Sequence, residues 1–132
     1  MEWIVSDKEY ESVIRLKDQV RYEYFIKRVA DYSELWSLKG KAGWELLGDD
    51  AGNESIPLWP HRRYADGYAK ARSLADVDPA AISLSDFLSR WIPGMAKDNR
   101  LAAVFPTPAN RSIVVLPERL KKDLGMELSR IE

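Results

Sequence analysis

The sequence predicts an α+β domain in which a mainly antiparallel sheet, a three-strand meander plus a C-terminal hairpin, is covered by about five helices. Three patterns carry this expectation. Apolar residues recur at helical spacing towards both ends of the chain, and the middle breaks into short apolar segments separated by glycine-containing turns. A β-branched run, Ile113-Val114-Val115, then follows a proline-rich loop. At 132 residues, one domain spanning 1–132 suffices.

Ser6 and Glu9 have the spacing of a capping box, which opens a first helix near 7–16 with Tyr10, Val13 and Ile14 on one face. Asp18 can cap a second helix, where Tyr22, Phe25, Ile26 and Val29 fall at i, i+3, i+4 and i+7. The meander comprises Leu35 to Lys39, Trp44 to Leu47 and Ser55 to Trp59, divided by Gly40, by Gly43 and by Gly48-Asp49-Asp50-Ala51-Gly52-Asn53. Pro60 ends the third strand, and Tyr64, Ala65, Tyr68 and Ala69 mark a third helix weakened by Gly67. Asp76 to Pro79 reads as a loop and Ala80 to Ser83 as a short strand. Ser83 and Asp86 can cap a fourth helix carrying Leu84, Phe87, Leu88 and Trp91, which Pro93-Gly94 should stop. Leu101 to Phe105 and Ser112 to Leu116 form the hairpin across Pro106-Thr107-Pro108-Ala109-Asn110-Arg111. Pro117 opens a last helix with Leu120, Leu124, Leu128 and Ile131 at helical intervals, placed to pack across the sheet.

Composition removes most catalytic kits. There is no cysteine and a single histidine, His61, so neither a thiolate nucleophile nor a multi-histidine metal site can be assembled. Gly-x-Ser-x-Gly, Gly-x-Gly-x-x-Gly and phosphate-loop motifs are missing from the sequence. No cofactor or metal is expected. Lys plus Arg total 20 against 21 Asp plus Glu, which leaves no global field to attract nucleic acid or anionic lipid. Met1-Glu2-Trp3-Ile4-Val5 has no basic leader and no apolar run is long enough to span a bilayer, so a cytoplasmic protein that does not engage membranes is the expectation.

Several motifs in fixed order, namely Arg21-Tyr22-Glu23-Tyr24-Phe25, Leu35-Trp36-Ser37-Leu38, Gly43-Trp44, Pro57-Leu58-Trp59-Pro60 and Ala103-Val104-Phe105-Pro106-Thr107-Pro108, resemble the bacterial domain-of-unknown-function family numbered 2750. The resemblance runs from about Tyr10 to Leu124. It implies a small bacterial cytoplasmic protein and brings no established activity and no catalytic or binding residues.

The strongest local concentration of chemistry is Trp59-Pro60-His61-Arg62-Arg63-Tyr64, where a strand end meets a helix start and exposed backbone amides favour an anion. Arg62 and Arg63 could grip a carboxylate or phosphate, with Lys70 and Arg72 extending the charge. The more economical reading makes Trp59 core, His61 a local cap and the arginines a solvated face. Trp36 and Trp44 are placed to form a cross-strand aromatic cluster, and Trp3 is expected to be exposed or docked on a neighbour. Asp49 with Asp50, Asp76 with Asp78, and Asp31 with Glu34 are the paired carboxylates, all in connections. A cation loop of Asp49, Asp50, Asn53 and Glu54 lacks calcium-loop spacing.

The expected function is accordingly a non-enzymatic protein-interaction domain, immunity-like or regulatory, binding another protein through Trp59, His61, Arg62, Arg63 and Tyr64. The alternative is a small-molecule or anion-binding domain using His61, Arg62 and Arg63, with enzymatic activity left open. Nucleic acid is not an expected partner, and a homo-oligomer stays open.

Overall fold

The computed structural model describes residues 3–109 and 112–131, so Met1, Glu2 and the Asn110-Arg111 turn of the expected hairpin lie outside it, as does Glu132. The α+β class stands, with helices packed on two small sheets.

Helix α1 (Asp7–Val13) starts where Ser6 Oγ accepts the Glu9 N–H at 3.1 Å. The reciprocal half of the capping box is not used: the Glu9 carboxylate instead accepts the Tyr24 hydroxyl at 2.6 Å. Helix α2 (Asp18–Tyr32) has Lys17 rather than Asp18 at its cap. Asp18 sits inside the first turn and pairs with the Arg21 guanidinium at 3.2 Å, because Arg21 is buried and needs its donors met. Arg21 also donates to the Leu16 carbonyl at 2.8 Å and the Phe105 carbonyl at 3.2 Å. The expected stripe is buried, with Phe25 and Val29 fully enclosed.

The meander strands divide between two sheets. Strand β1 (Glu34–Gly40) pairs with β2 (Gly43–Trp44) over only two residues, while β3 (Leu47–Gly48) pairs with β4 (Glu54–Leu58) in the second sheet. The first sheet has the order β2-β1-β5, and its long partner is β5 (Val77–Ser83), antiparallel to β1 from Glu34↔Ser83 to Gly40↔Val77. The stretch expected to be a loop, Asp76 to Pro79, therefore contributes three strand residues. Pro79 is tolerated because β5 is an edge strand with its outward side free.

The second sheet runs β3-β4-β6-β7, with β4 and β6 (Leu101–Val104) parallel and β6 and β7 (Ile113–Val115) antiparallel, the expected C-terminal hairpin. Reciprocal Trp36 and Trp59 backbone bonds of 2.8 Å join the sheets, supported by the Ser37 hydroxyl donating to the Pro57 carbonyl at 2.6 Å.

Helix α3 (Arg62–Ala71) buries Tyr64, Ala65, Tyr68 and Ala69. Its Gly67 answers a packing demand, since a Cβ there would lie 2.1 Å from the Tyr10 hydroxyl oxygen.

The fourth helix does not stop at Pro93. After α4 (Leu84–Asp86), capped by Ser83 Oγ accepting the Asp86 N–H at 3.1 Å, a π-helical turn (Phe87–Trp91) leads into α5 (Ile92–Lys97). Pro93 lies in the first turn after the register change, where its missing N–H is tolerated. Helix α6 (Pro117–Ile131) buries Leu120 and Leu124, and packs chiefly on α2 and α5 rather than across the sheet. No helix among the described residues is long and apolar enough to cross a membrane.

Candidate functional site

Residues 59–64 turn from the inter-sheet bridge into α3, and each side chain leaves the corner in its own direction. Trp59 is fully buried and its indole N–H donates to the Pro106 carbonyl at 2.8 Å. His61 caps α3: its Nδ1 accepts the Arg63 backbone N–H at 3.0 Å. Its Nε2 lies 2.8 Å from the Trp3 carbonyl, which can only accept, so Nε2 is the donor of that bond.

Arg63 turns back under the N-terminal segment, donating to the Val5 carbonyl at 2.8 Å, pairing with Asp7, and lying 5.0 Å from the Tyr10 ring centroid. Tyr64 is buried against Tyr10, ring centroids 5.5 Å apart and stacked, with its hydroxyl 3.0 Å from that of Tyr24. Since the Tyr24 proton is engaged by Glu9, Tyr64 donates to Tyr24. Burial pushes the Tyr64 phenol up to about 12 and, with the bond to Glu9 added, raises that of Tyr24 further.

Arg62 alone of the five expected binding residues is exposed. With His61 it edges a cleft of about 440 Å³ whose other walls are Trp3, Tyr32, Glu34, Trp36 and Pro60. Trp3 stacks on Tyr32 at 5.0 Å and meets His61 edge-on at 4.8 Å, while the Arg28 guanidinium lies 5.2 Å from its ring centroid. Trp3 thus docks on neighbours, as its sequence context suggested. Tyr32 and Glu34 reach the cleft because the residue between them, Ser33, takes the left-handed conformation (φ 55°) that turns α2 into β1. Neither Glu34 nor Arg62 has an ion-pair partner among the described residues. No sequence motif connects Tyr32 or Arg28 with this place, and the one available signal is the break between α2 and β1.

Other expected groupings come apart. Trp36 and Trp44 form no cluster: Trp36 bridges Trp59, and Trp44 meets Trp91 edge-to-face at 4.7 Å, because the β1–β2 register sets Trp44 opposite Lys39 rather than Trp36. Lys70 is held by Asp66 at 2.9 Å and Arg72 lies over Tyr68, so neither extends the charge of Arg62 into the cleft.

Asp49 closes its own turn, accepting the Ala51 and Asn53 N–H groups at 2.9 Å, and the bonds from Asn53 hold its carboxyl below the ordinary range. Glu54 faces Arg100 at 3.5 Å, away from that turn's hydrogen bonds. Among the described residues no three His, Cys, Asp or Glu side chains group to hold a metal ion.

Fold and cleft together define a small α+β domain with a concavity walled by aromatic side chains and edged by one carboxylate and one guanidinium. The chain belongs to the family described as "Protein of unknown function (DUF2750)", whose model matches residues 22–124. The match begins after α1, so the Tyr10 end of the sequence resemblance lies outside it. No curated protein matches the chain. Arg21, Trp59 and Phe105-Pro106, from separate motifs of that resemblance, meet in the interior: Arg21 and Trp59 donate to the Phe105 and Pro106 carbonyls. Phe105 itself has a positive φ of 57°, strained for a bulky residue and held by these bonds.

Proposed function

We propose that the chain is a non-enzymatic protein-interaction domain that receives a protruding side chain of another protein in the Trp3–Trp36 cleft. The observation that carries this reading is the pairing of half-open aromatic walls with an exposed, unpaired Arg62 among the described residues. Trp, Tyr and Arg are the side chains on which binding energy concentrates, and a recess gives them an enclosed place to act. An apolar or aromatic side chain flanked by an acid would fit, the acid meeting Arg62. The domain would then act by covering a partner's surface, as an immunity-like or regulatory protein does. The anion-binding alternative draws on His61, Arg62 and Arg63, and of these His61 and Arg63 are engaged with Trp3, Val5, Asp7 and the α3 amide.

A photo-crosslinking amino acid placed at Tyr32 should yield a defined adduct in the native cell, whereas the same group at exposed Met126 on α6 should not. Adduct formation from Met126 alone would overturn the proposal.

A further inference from the structure

A second concavity, of about 490 Å³, lies between Trp44, Leu46 and Ile56 on one side and the π-helical turn with α5 on the other. It shares no lining residue with the His61–Arg62 cleft, so the two places do not compete for the same side chains. Its volume falls within the usual range of small-ligand sites.

The recess is built for a flat apolar body. Trp44 and Trp91 stand edge-to-face at 4.7 Å and 77°, both half-buried, over a floor of buried Ile56 and Met95. The π-helical turn that ends on Trp91 is the kind of irregularity that helices concentrate at functional places. On the next turn Gly94 leaves the wall bare: a Cβ added there meets no atom within 4 Å.

The mouth carries cationic capacity that its own carboxylates do not use up. Arg100 brings Nη1 to 3.4 Å from Asp98, and its Nε is 3.5 Å from Glu54 without a hydrogen bond forming, which leaves a buried donor unmatched. Its Nη2 has no partner among the described residues. Lys39 lies 5.1 Å from the Trp44 ring centroid and has no carboxylate partner among the described residues. A cationic ligand is disfavoured, because Lys39 already takes the ring quadrupole of Trp44 and Asp98 is engaged by Arg100.

We propose that this groove binds a planar aromatic carboxylate, its ring against Trp44, Trp91 and Met95 and its carboxylate on the free Nη2 edge of Arg100. The test is a titration of the intact protein followed through the indole N–H resonances, using naphthalene-2-carboxylate and the uncharged naphthalene-2-carboxamide as probes. Saturable shifts of the Trp44 and Trp91 signals are expected, with the acid binding about tenfold tighter than the amide, the discrimination one charge-assisted hydrogen bond provides. Arg100→Gln should bring the acid down to the amide's affinity. Gly94→Leu should abolish binding of both probes while the melting temperature stays at or above that of the unaltered protein. Absence of saturable shifts, equal affinities for acid and amide, or undiminished binding by Gly94→Leu would each overturn the assignment.

Discussion

The Trp3–His61 region and the Trp44–Trp91 groove are both aromatic, yet they are held in opposite ways. In the first, directional bonds tie side chains from α1, α2 and α3 into one body: His61 to Trp3, Arg63 to Val5 and Asp7, Tyr24 to Glu9, Tyr64 to Tyr24. In the second, two indoles meet by ring contact alone and the neighbouring guanidinium keeps an unused edge. The glycines of the two regions show the same contrast, since the space at Gly67 is filled by Tyr10 and the space at Gly94 is open. An aromatic cluster that has spent its polar groups on itself stiffens a fold, and only what it leaves over, here Arg62 and the cleft walls, is free to recruit anything else.

The largest expected effect separates the indoles. Trp59→Ala should lower unfolding free energy by roughly 3–5 kcal/mol in a denaturant titration, since it empties a fully buried site and strands the Pro106 carbonyl. Trp44→Ala, at a half-open position, should cost clearly less; equal losses would erase the distinction between the regions.

Next come the adjacent arginines. Arg63→Ala should cost roughly 1.5–3 kcal/mol, because its charged donors serve the Val5 carbonyl and Asp7. Arg62→Ala should stay within about 0.5 kcal/mol of the unaltered protein. A comparable cost for Arg62 would mean that its guanidinium is structural after all.

Alkaline pH should act on the tied-down region, and on the part-buried Tyr22–Asp123 bond between α2 and α6, rather than on the groove. The Tyr64 phenol is held up to about 12 from its ordinary 10.0 by burial, so the fold favours the neutral form. That contribution is complete below pH 10.0 and is lost as pH climbs through about 12, with Tyr24 pulling in the same direction. Urea midpoints should therefore fall from about pH 9 to about pH 11, and less steeply in Tyr64→Phe. A flat profile would contradict the hydroxyl chain.

The smallest effects differ in sign. Gly67→Ala should destabilise, by roughly 1 kcal/mol or more, because the new methyl displaces a stacked Tyr10. Gly94→Ala should stabilise by up to about 1 kcal/mol through helix propensity, with no clash against it. Matching signs in thermal melts would show that the two spaces are alike.

Helices were legible in the sequence wherever an apolar stripe recurred, as in α2 and α3, and the Ser83 cap of α4 was legible too, whereas Asp18 read as the cap of α2 because its need to pair with buried Arg21 is invisible in the sequence. Chain pairing was less so. Pro79 reads as a breaker until an edge position excuses its missing N–H, and Pro93 does so until a π-helical turn places it at the start of α5. Without β5 in view, β1 falls in with its sequence neighbours, and the partition into two sheets is lost.

The candidate segment 59–64 was local and visible, but its directions were not. They depend on Trp3, Val5 and Asp7 arriving from 56 to 58 residues away to claim His61 and Arg63. The Trp44–Trp91 groove was less legible still, being assembled from segments that share no motif.

The most direct test of the interaction reading measures the affinity of a partner, captured from the native cell and identified, for three forms of the chain: unaltered, Arg62→Glu and Gly94→Leu. Binding should fall at least about tenfold in Arg62→Glu, where one charge contact becomes a repulsion, and should be unchanged in Gly94→Leu. A partner that binds Arg62→Glu as tightly as the unaltered chain would contradict the assignment of the Trp3–Trp36 cleft.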